Sequence, residues 1–445
     1  MDFHVILDAL HREIERSTGC TDPAAVALAV ARATAALGLT PDIVPDRVSV
    51  TVSPNVYKNG ISVGVPGTGE RGMAPAAALG VFLSAHWSDG LALLDHADEG
   101  VIGAAREYRV AHPPAVGVAR DAPDDLWVRA EVSAGPRTAW ATIVADYSAI
   151  AEVGVNGTVL FQAPPPPSAQ AGDVLTDYSM KEIVETIDRT DPSEFAFLAE
   201  AAEVNRAAAN QGIGNPAMSL GPALSRQYGA SSGASSAPAA GNGAEGPGRS
   251  MDLARVYTAA ATEARMAGMN VPIMAITGSG NHGITNFLGI LAAAETMNAP
   301  REALLRALAI SSAVTVYIKG YVHRMTAFCG CAVAAGTGVA AGTAYLYRGS
   351  YDQIEAAMQS VIGSLAGMVC DGAKESCALK TSTAAVAAIQ AAHMTAVLDV
   401  AVPVPMGIMA ATVEESIRNL GTLNRPGMEG TDRVLLQIIE SNQSA

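Results

Sequence analysis

Five cysteines occur in the 445-residue chain, and four of them lie between Cys329 and Cys377. They are arranged as Cys329-Gly330-Cys331 and, forty residues on, as Cys370-Asp-Gly-Ala-Lys-Glu-Ser-Cys377. Thiols grouped this way in an otherwise cysteine-poor chain point to one shared site. Four could close a tetrahedral zinc site, although zinc modules usually pair their ligands as Cys-x2-Cys. Three could hold an iron–sulfur cluster with one iron open to act as a Lewis acid. Some or all could simply be packed, because free cysteine is among the most buried residue types. The run Ala-Val-Ala-Ala after Cys331 predicts a helix starting there, which turns the Cys331 side chain away from Cys329. On that basis Cys329, Cys370 and Cys377 are the expected metal ligands and Cys331 a packed neighbour.

Cys20 stands alone in Gly19-Cys20-Thr21-Asp22-Pro23. A helix is expected to begin at Asp22, with Asp22 as N-cap and Pro23 at the first helical position, and to continue through Ala24–Leu37. A thiol at such a terminus feels the positive end of the helix dipole, which lowers its pKa and would make it a base or nucleophile. Gly19-Cys20 could equally be a small-residue turn before a buried helix. Gly278-Ser279-Gly280-Asn281-His282-Gly283, followed by an apolar run, reads as a loop entering a helix whose amides could receive a carboxylate or phosphate. Here Ser279, Gly280 and Asn281 are the candidate binding residues, and His282 is either a base or structural. Lys58, in the Pro-, Asn- and Gly-rich segment Ser53–Gly60, could neutralise a substrate carboxylate or sit solvated in a turn.

The elements that must position these groups divide the chain. Asp2 to Arg16 carries apolar residues at helical spacing. Between residues 45 and 165, short β-rich runs such as Arg47–Ser53, Trp127–Val132 and Thr138–Ala145 alternate with turn residues, with helices expected around Pro75–Ala85 and Trp87–Glu99. A proline-rich connector follows at 163–168, and the chain is then helical almost to its end, interrupted by a Gly/Ala/Ser/Pro-rich insertion at 229–250 expected to be flexible. The expected architecture is α+β: a mostly helical cluster-binding domain at 170–445, a smaller α+β domain at 45–165, and N-terminal helices over 1–44 that carry Cys20 and pack on the catalytic domain. Charged residues make up only 16% of the chain and aromatics 5%, while the hydrophobic set reaches 49%, so the core is built from small and aliphatic side chains that allow close helix packing. Such helices also permit a homo-oligomer.

A net charge of −15 excludes nucleic acid as an expected partner and disfavours an anionic membrane surface. The charge-free stretches Met266–Ala294 and Met325–Tyr347 are long enough to span a bilayer. The first is broken by the Gly-Ser-Gly-Asn-His-Gly loop and the second is mostly Ala, Gly and Thr, so both are expected to be buried. The N-terminal run lacks the basic start and long apolar stretch of a secretory signal, so a cytoplasmic location is expected, where thiols stay reduced.

Taken together, Gly19–Pro23, Ser53–Gly60, Gly278–Ile284, Cys329–Cys331, Gly367–Lys374 and Cys377-Ala-Leu-Lys380 resemble the signatures of the L-cysteine desulfidase family, relatives of the iron–sulfur L-serine dehydratase α chains. The resemblance spans about residues 15–430. It implies an oxygen-sensitive 4Fe–4S cluster on three cysteines and no pyridoxal phosphate. Cys370 and Cys377 would be two ligands, Cys329 or Cys331 the third, and Cys20 the base or the cover of the open iron. The chain departs from the pattern at Asp22, where Glu is expected, and at His282, where Gln is common. The implied reaction converts L-cysteine, a small amino-acid substrate, to pyruvate, ammonia and sulfide. The alternatives are deamination of L-serine by the same site and, in a different class, a non-catalytic zinc-binding protein.

Overall fold

The computed structural model describes residues 1–39, 43–164, 171–229 and 247–444. Two sheets and two large cores organise them. In β2 (Arg47–Val52) the valines at 48, 50 and 52 are buried while the residues between them are not, the period-two pattern of a half-buried strand. With β3 (Ala115–Val118), β4 (Trp127–Ala134), β5 (Arg137–Val144), β6 (Ile150–Val155) and β7 (Thr158–Gln162) it forms a six-stranded sheet of order β3-β2-β4-β5-β6-β7. Only the β2–β3 pairing is parallel. Against this sheet lies α2 (Thr21–Leu37), whose residues from Thr21 to Ala31 are all buried. A helix apolar on every side belongs inside a core, and this one is sandwiched between β4, β5 and the Met73–Phe82 helix.

The second core is helical. Pro247–Met266 packs along Cys377–Ala396, and Gly280–Thr296, Arg301–Val322, Gly336–Leu346 and Tyr351–Leu365 complete the bundle. Arg301–Val322 is long and apolar enough to cross a membrane, but most of it is buried within this bundle, as a core helix would be. The charge-free stretches at 266–294 and 325–347 are also largely buried.

The N-terminal segment does not pack as one unit on the helical part. Helix α1 (Phe3–Glu13) buries Ile6 and Leu10 in the helical core, whereas α2 belongs to the core of the sheet. Between them the expected helix stops at Glu13, and β1 (Ile14–Thr18) pairs antiparallel with β8 (Pro272–Ile276). Pairing with a distant strand overrides the helical periodicity. Within Ser53–Gly60, Pro54–Gly60 forms a short helix, α3, with proline in its first turn. Of the insertion expected at 229–250, residues 230–246 lie outside the described residues, and Pro247 already begins a helix. Most of the proline-rich connector lies outside them too. Ion pairs Arg71–Glu375, Arg425–Asp125, Arg120–Glu440 and Lys58–Asp432 tie the sheet side to the helical side.

Candidate active site

A single cavity between the two cores is lined by all five cysteines, together with Asp22, Lys58, Asn59, Tyr147, Arg265, Ser279, Asn281, His282, Arg324 and Lys380. One wall carries four thiols. Phe328 and Val369 form an isolated antiparallel bridge, with the Cys329 amide donating to the Met368 carbonyl at 2.6 Å and the Cys370 amide to the Ala327 carbonyl at 2.8 Å. Because side chains alternate along an extended pair, Cys329 and Cys370 leave the bridge on the same side. Lys380 clamps the second segment by donating to the Val369 carbonyl at 2.8 Å and pairing with Asp371. Burial pushes the Asp371 carboxyl up, but Lys374 and Lys380 outweigh it and hold the group at about 2. Cys377 opens the Cys377–Ala396 helix, its sulfur 3.6 Å from the Gly372 carbonyl.

The start expected at Cys331 is correct, since Cys331–Ala335 is a π-helical turn running into Gly336–Leu346. The inference drawn from it is not. The Cys331 thiol hydrogen-bonds to the Cys329 sulfur, and both line the cavity. Indeed Cys329 is the more buried of the two. The Cys329 carbonyl accepts from both the Ala332 and Val333 amides at 3.0 Å, so the chain already turns at Cys329 and local helix geometry does not separate ligand from neighbour. The hydrogen bond favours the Cys329 thiolate and pushes Cys331 far up. Burial and the neighbouring Cys329 raise Cys377 to about 11. Thiols that raise one another's pKa can ionise together only around a positive centre, which is the donor chemistry of a metal or iron–sulfur site.

The opposite wall starts at Cys20, which is 3% exposed and is itself the N-cap of α2, so the cap lies two residues before the expected Asp22. The lowered thiol pKa expected at this helix terminus is not found. Burial, reinforced by the Asp22 carboxylate, pushes Cys20 up to about 12, against a downward pull from Arg265. Desolvation outweighs the dipole here because the sulfur is fully enclosed. The thiol donates to Asp22 Oδ2 at 3.5 Å, and Tyr147 donates to Asp22 Oδ1 at 3.1 Å. Burial raises Asp22 to about 6 even against these two bonds. Asp22 is therefore the proton acceptor within reach of Cys20.

The 278–283 loop does lead into a helix, Gly280–Thr296, with Ser279 as N-cap accepting from the His282 amide. Ser279 and Asn281 line the cavity, while Gly280 does not. A Cβ on Gly280 would sit 2.5 Å from Arg265 Nε, so its role is to admit the guanidinium. Asn281 Oδ1 accepts from Arg265 Nη1 at 2.9 Å. The Thr277 hydroxyl donates to the Ile276 carbonyl and so can only accept from His282 Nδ1, at 2.9 Å. That assigns the ring proton to Nδ1 and leaves Nε2 as an acceptor. Burial, aided by Lys319, holds His282 well below its usual pKa, so it is neutral. Its Nε2 lies against Gly330, where a Cβ would approach to 2.5 Å. Lys58 lines the cavity, but its ammonium is 2.6 Å from Asp432 Oδ1 and its side chain is 2% exposed. Its charge is already neutralised by the C-terminal helix.

The structure thus brings Cys20, Lys58, Ser279, Asn281, Cys329, Cys370 and Cys377 to one cavity, with Cys331 and Asp22 from the same motifs, and adds Tyr147 and Arg265, which the motifs did not single out. Arg265 has one sequence signal: it is the last charged residue before the charge-free stretch that begins at Met266.

A wall of four thiols facing buried acid–base groups is a donor set suited to a metal or iron–sulfur group. The profile of the serine dehydratase alpha chain family matches residues 145–437. The chain belongs to that family, an iron–sulfur-dependent lyase family. It is 48% identical to a UPF0597 protein of Methanocella arvoryzae over 99% of both chains. A UPF0597 protein of Clostridioides difficile is 36% identical over 97% of this chain and 98% of its own, and the UPF0597 protein YhaM of Salmonella dublin is 36% identical over 97% and 96%.

Proposed function

We propose that the protein is an L-cysteine desulfidase, converting L-cysteine and water to pyruvate, ammonia and sulfide with a 4Fe–4S cluster. The observation that carries the reading is the convergence of all five cysteines, none in a disulfide, on one enclosed cavity that also holds paired acid–base groups. Cys370 and Cys377 would hold the cluster together with Cys329 or Cys331, both of which line the cavity. When bound, such a cluster offers one iron as a Lewis acid toward the β-substituent of the substrate.

The chain's own groups do the proton chemistry. Cys20 rests as a thiol, so it removes the α-proton only after its own proton passes to Asp22 Oδ2. Tyr147 holds Asp22 by its other oxygen and keeps the acceptor aimed at the sulfur. Loss of the α-proton and of the β-sulfur leaves aminoacrylate, whose imine tautomer takes up water to give pyruvate and ammonia. Burial of Cys20 itself limits competition from water for its proton.

The match to the serine dehydratase alpha chain family supports a second reading, deamination of L-serine at the same site. Anaerobically reconstituted protein given each amino acid separates the two. The desulfidase reading expects sulfide and pyruvate in equal amounts from L-cysteine, with kcat/KM above that for L-serine. Equal or better turnover of L-serine overturns it.

A further inference from the structure

Four arginine and lysine side chains line the cavity: Lys58, Arg265, Arg324 and Lys380. Three of them are bound directly to carboxylates. Lys58 meets Asp432 at 2.6 Å, Arg324 meets Glu13 and Asp146 at 2.8 Å each, and Lys380 pairs with Asp371. Arg265 is different. Its Nε donates to the Gly19 carbonyl and its Nη1 to Asn281 Oδ1, both at 2.9 Å and both neutral acceptors. Its Nη2 has no hydrogen-bond partner among the described residues, although the residue is only 2% exposed. Asp22, the nearby acid whose pKa its charge affects, takes its hydrogen bonds from Cys20 and Tyr147.

A buried cationic donor without an acceptor is costly, and a guanidinium presents its remaining N–H groups as a planar fork suited to a carboxylate. We propose that Arg265, which lines the cavity, is the anchor for the α-carboxylate of the amino-acid substrate, with Nη2, which has no partner among the described residues, as its donor. The inference deepens the lyase reading and rests on it. It also moves the carboxylate-binding role away from Lys58, whose charge is committed to Asp432. Two neighbours serve the anchor. Gly280 leaves room for the guanidinium, and Asn281 orients it through a neutral oxygen that does not cancel its charge. The same guanidinium holds the Gly19 carbonyl, one residue before Cys20. Anchoring the carboxylate there sets the α-carbon beside the thiol that takes its proton.

L-Alanine carries the same α-groups without a leaving group, and ethylamine lacks the carboxylate, so calorimetric binding of the two to reconstituted protein tests the anchor apart from turnover. The wild type is expected to bind L-alanine and to discriminate against ethylamine. Arg265→Gln should weaken L-alanine binding about 100-fold and erase the discrimination, with Arg265→Lys intermediate. Asn281→Asp gives Nη1 a charged partner of nearly the same shape. It should weaken L-alanine binding about tenfold or more while the melting temperature and cluster absorbance stay at wild-type values. An Arg265→Gln protein that melts like wild type and binds L-alanine within threefold overturns the anchor. If Arg265→Gln does not fold, wild-type binding by Asn281→Asp overturns it instead. Loss of L-alanine binding in these variants of a protein that turns over neither L-cysteine nor L-serine sinks the proposed reaction and leaves the anchor standing. Wild-type turnover of L-cysteine with an unchanged KM in Arg265→Gln does the reverse.

Discussion

On the wall built from residues 329–331 and 370–377, four thiols lie together, neighbouring thiols shift the pKa values of Cys329, Cys331 and Cys377, and Lys380 ties the backbone behind them. On the wall built from Cys20, Asp22, Arg265 and the 278–283 loop, Asp22 takes its hydrogen bonds from Cys20 and Tyr147, and Arg265 keeps one guanidinium nitrogen without a partner among the described residues. The first wall needs a positive centre before its sulfurs can ionise together. The second offers a positive charge to an incoming anion. The difference assigns roles: the thiol wall suits a resident cofactor, and the charged wall suits the substrate that must be turned toward it.

The sharpest way to break this contrast is to remove thiols from each wall in turn. Cys370→Ser and Cys377→Ser should each abolish both the visible absorbance of the anaerobically reconstituted cluster and all turnover. Cys329→Ser and Cys331→Ser should differ, only one of them losing the cluster. Retention of full cluster content in Cys370→Ser would end the division of labour between the walls. On the other side, Cys20→Ala should keep the cluster and lose about 100-fold or more in turnover, the size expected when a positioned proton acceptor is removed. An equal loss of iron from Cys20→Ala would place that thiol on the cluster instead.

A smaller effect separates Lys58 from Arg265. Asp432→Asn strands an ammonium whose side chain is 2% exposed, and should cost about 2 kcal/mol in denaturant unfolding. Lys58→Met should cost less, since Asp432 is partly exposed and can turn to water. The reverse order would contradict a structural role for the pair. The last test is a pH slope from Glu15 on β1. Burial raises its carboxyl to about 7, so the folded state holds that proton more tightly than the unfolded chain. Its contribution is therefore full below about pH 4.5 and is lost as pH rises through 7. Unfolding of apoprotein across that window should show a slope that Glu15→Gln flattens. An unchanged slope would show that Glu15 does not titrate there.

Much of the architecture was legible because its signals are local. The alternation in Arg47–Val52, Trp127–Ala134 and Arg137–Val144 and the apolar helices after 170 follow from periodicity. β1 and β8 were not legible, because each five-residue strand exists only through the other, across more than 250 residues of chain. The same limit governs the site. Gly19-Cys20, the 278–283 loop and the cysteine pairs are visible as motifs, but Arg265 carries no motif. Its meaning lies in what its Nη2 lacks, which only a packed neighbourhood can reveal. The thiol chemistry also reversed on folding: helix-terminus logic predicted an acidic Cys20, and enclosure with Asp22 raised it instead.

The sequence by itself determined the reactive inventory, the family, and the helical and alternating segments that carry both, because residue types and short-range periodicity are properties of the chain. Only the tertiary structure decided which groups face one another. The Phe328–Val369 bridge set Cys329 and Cys370 on one side, a tight turn kept Cys331 beside them, and Asp432 claimed Lys58 while Arg265 kept a donor free. Those outcomes depend on burial and through-space pairing between segments far apart in the chain, and burial fixes whether a charge is matched, shifted or left to bind.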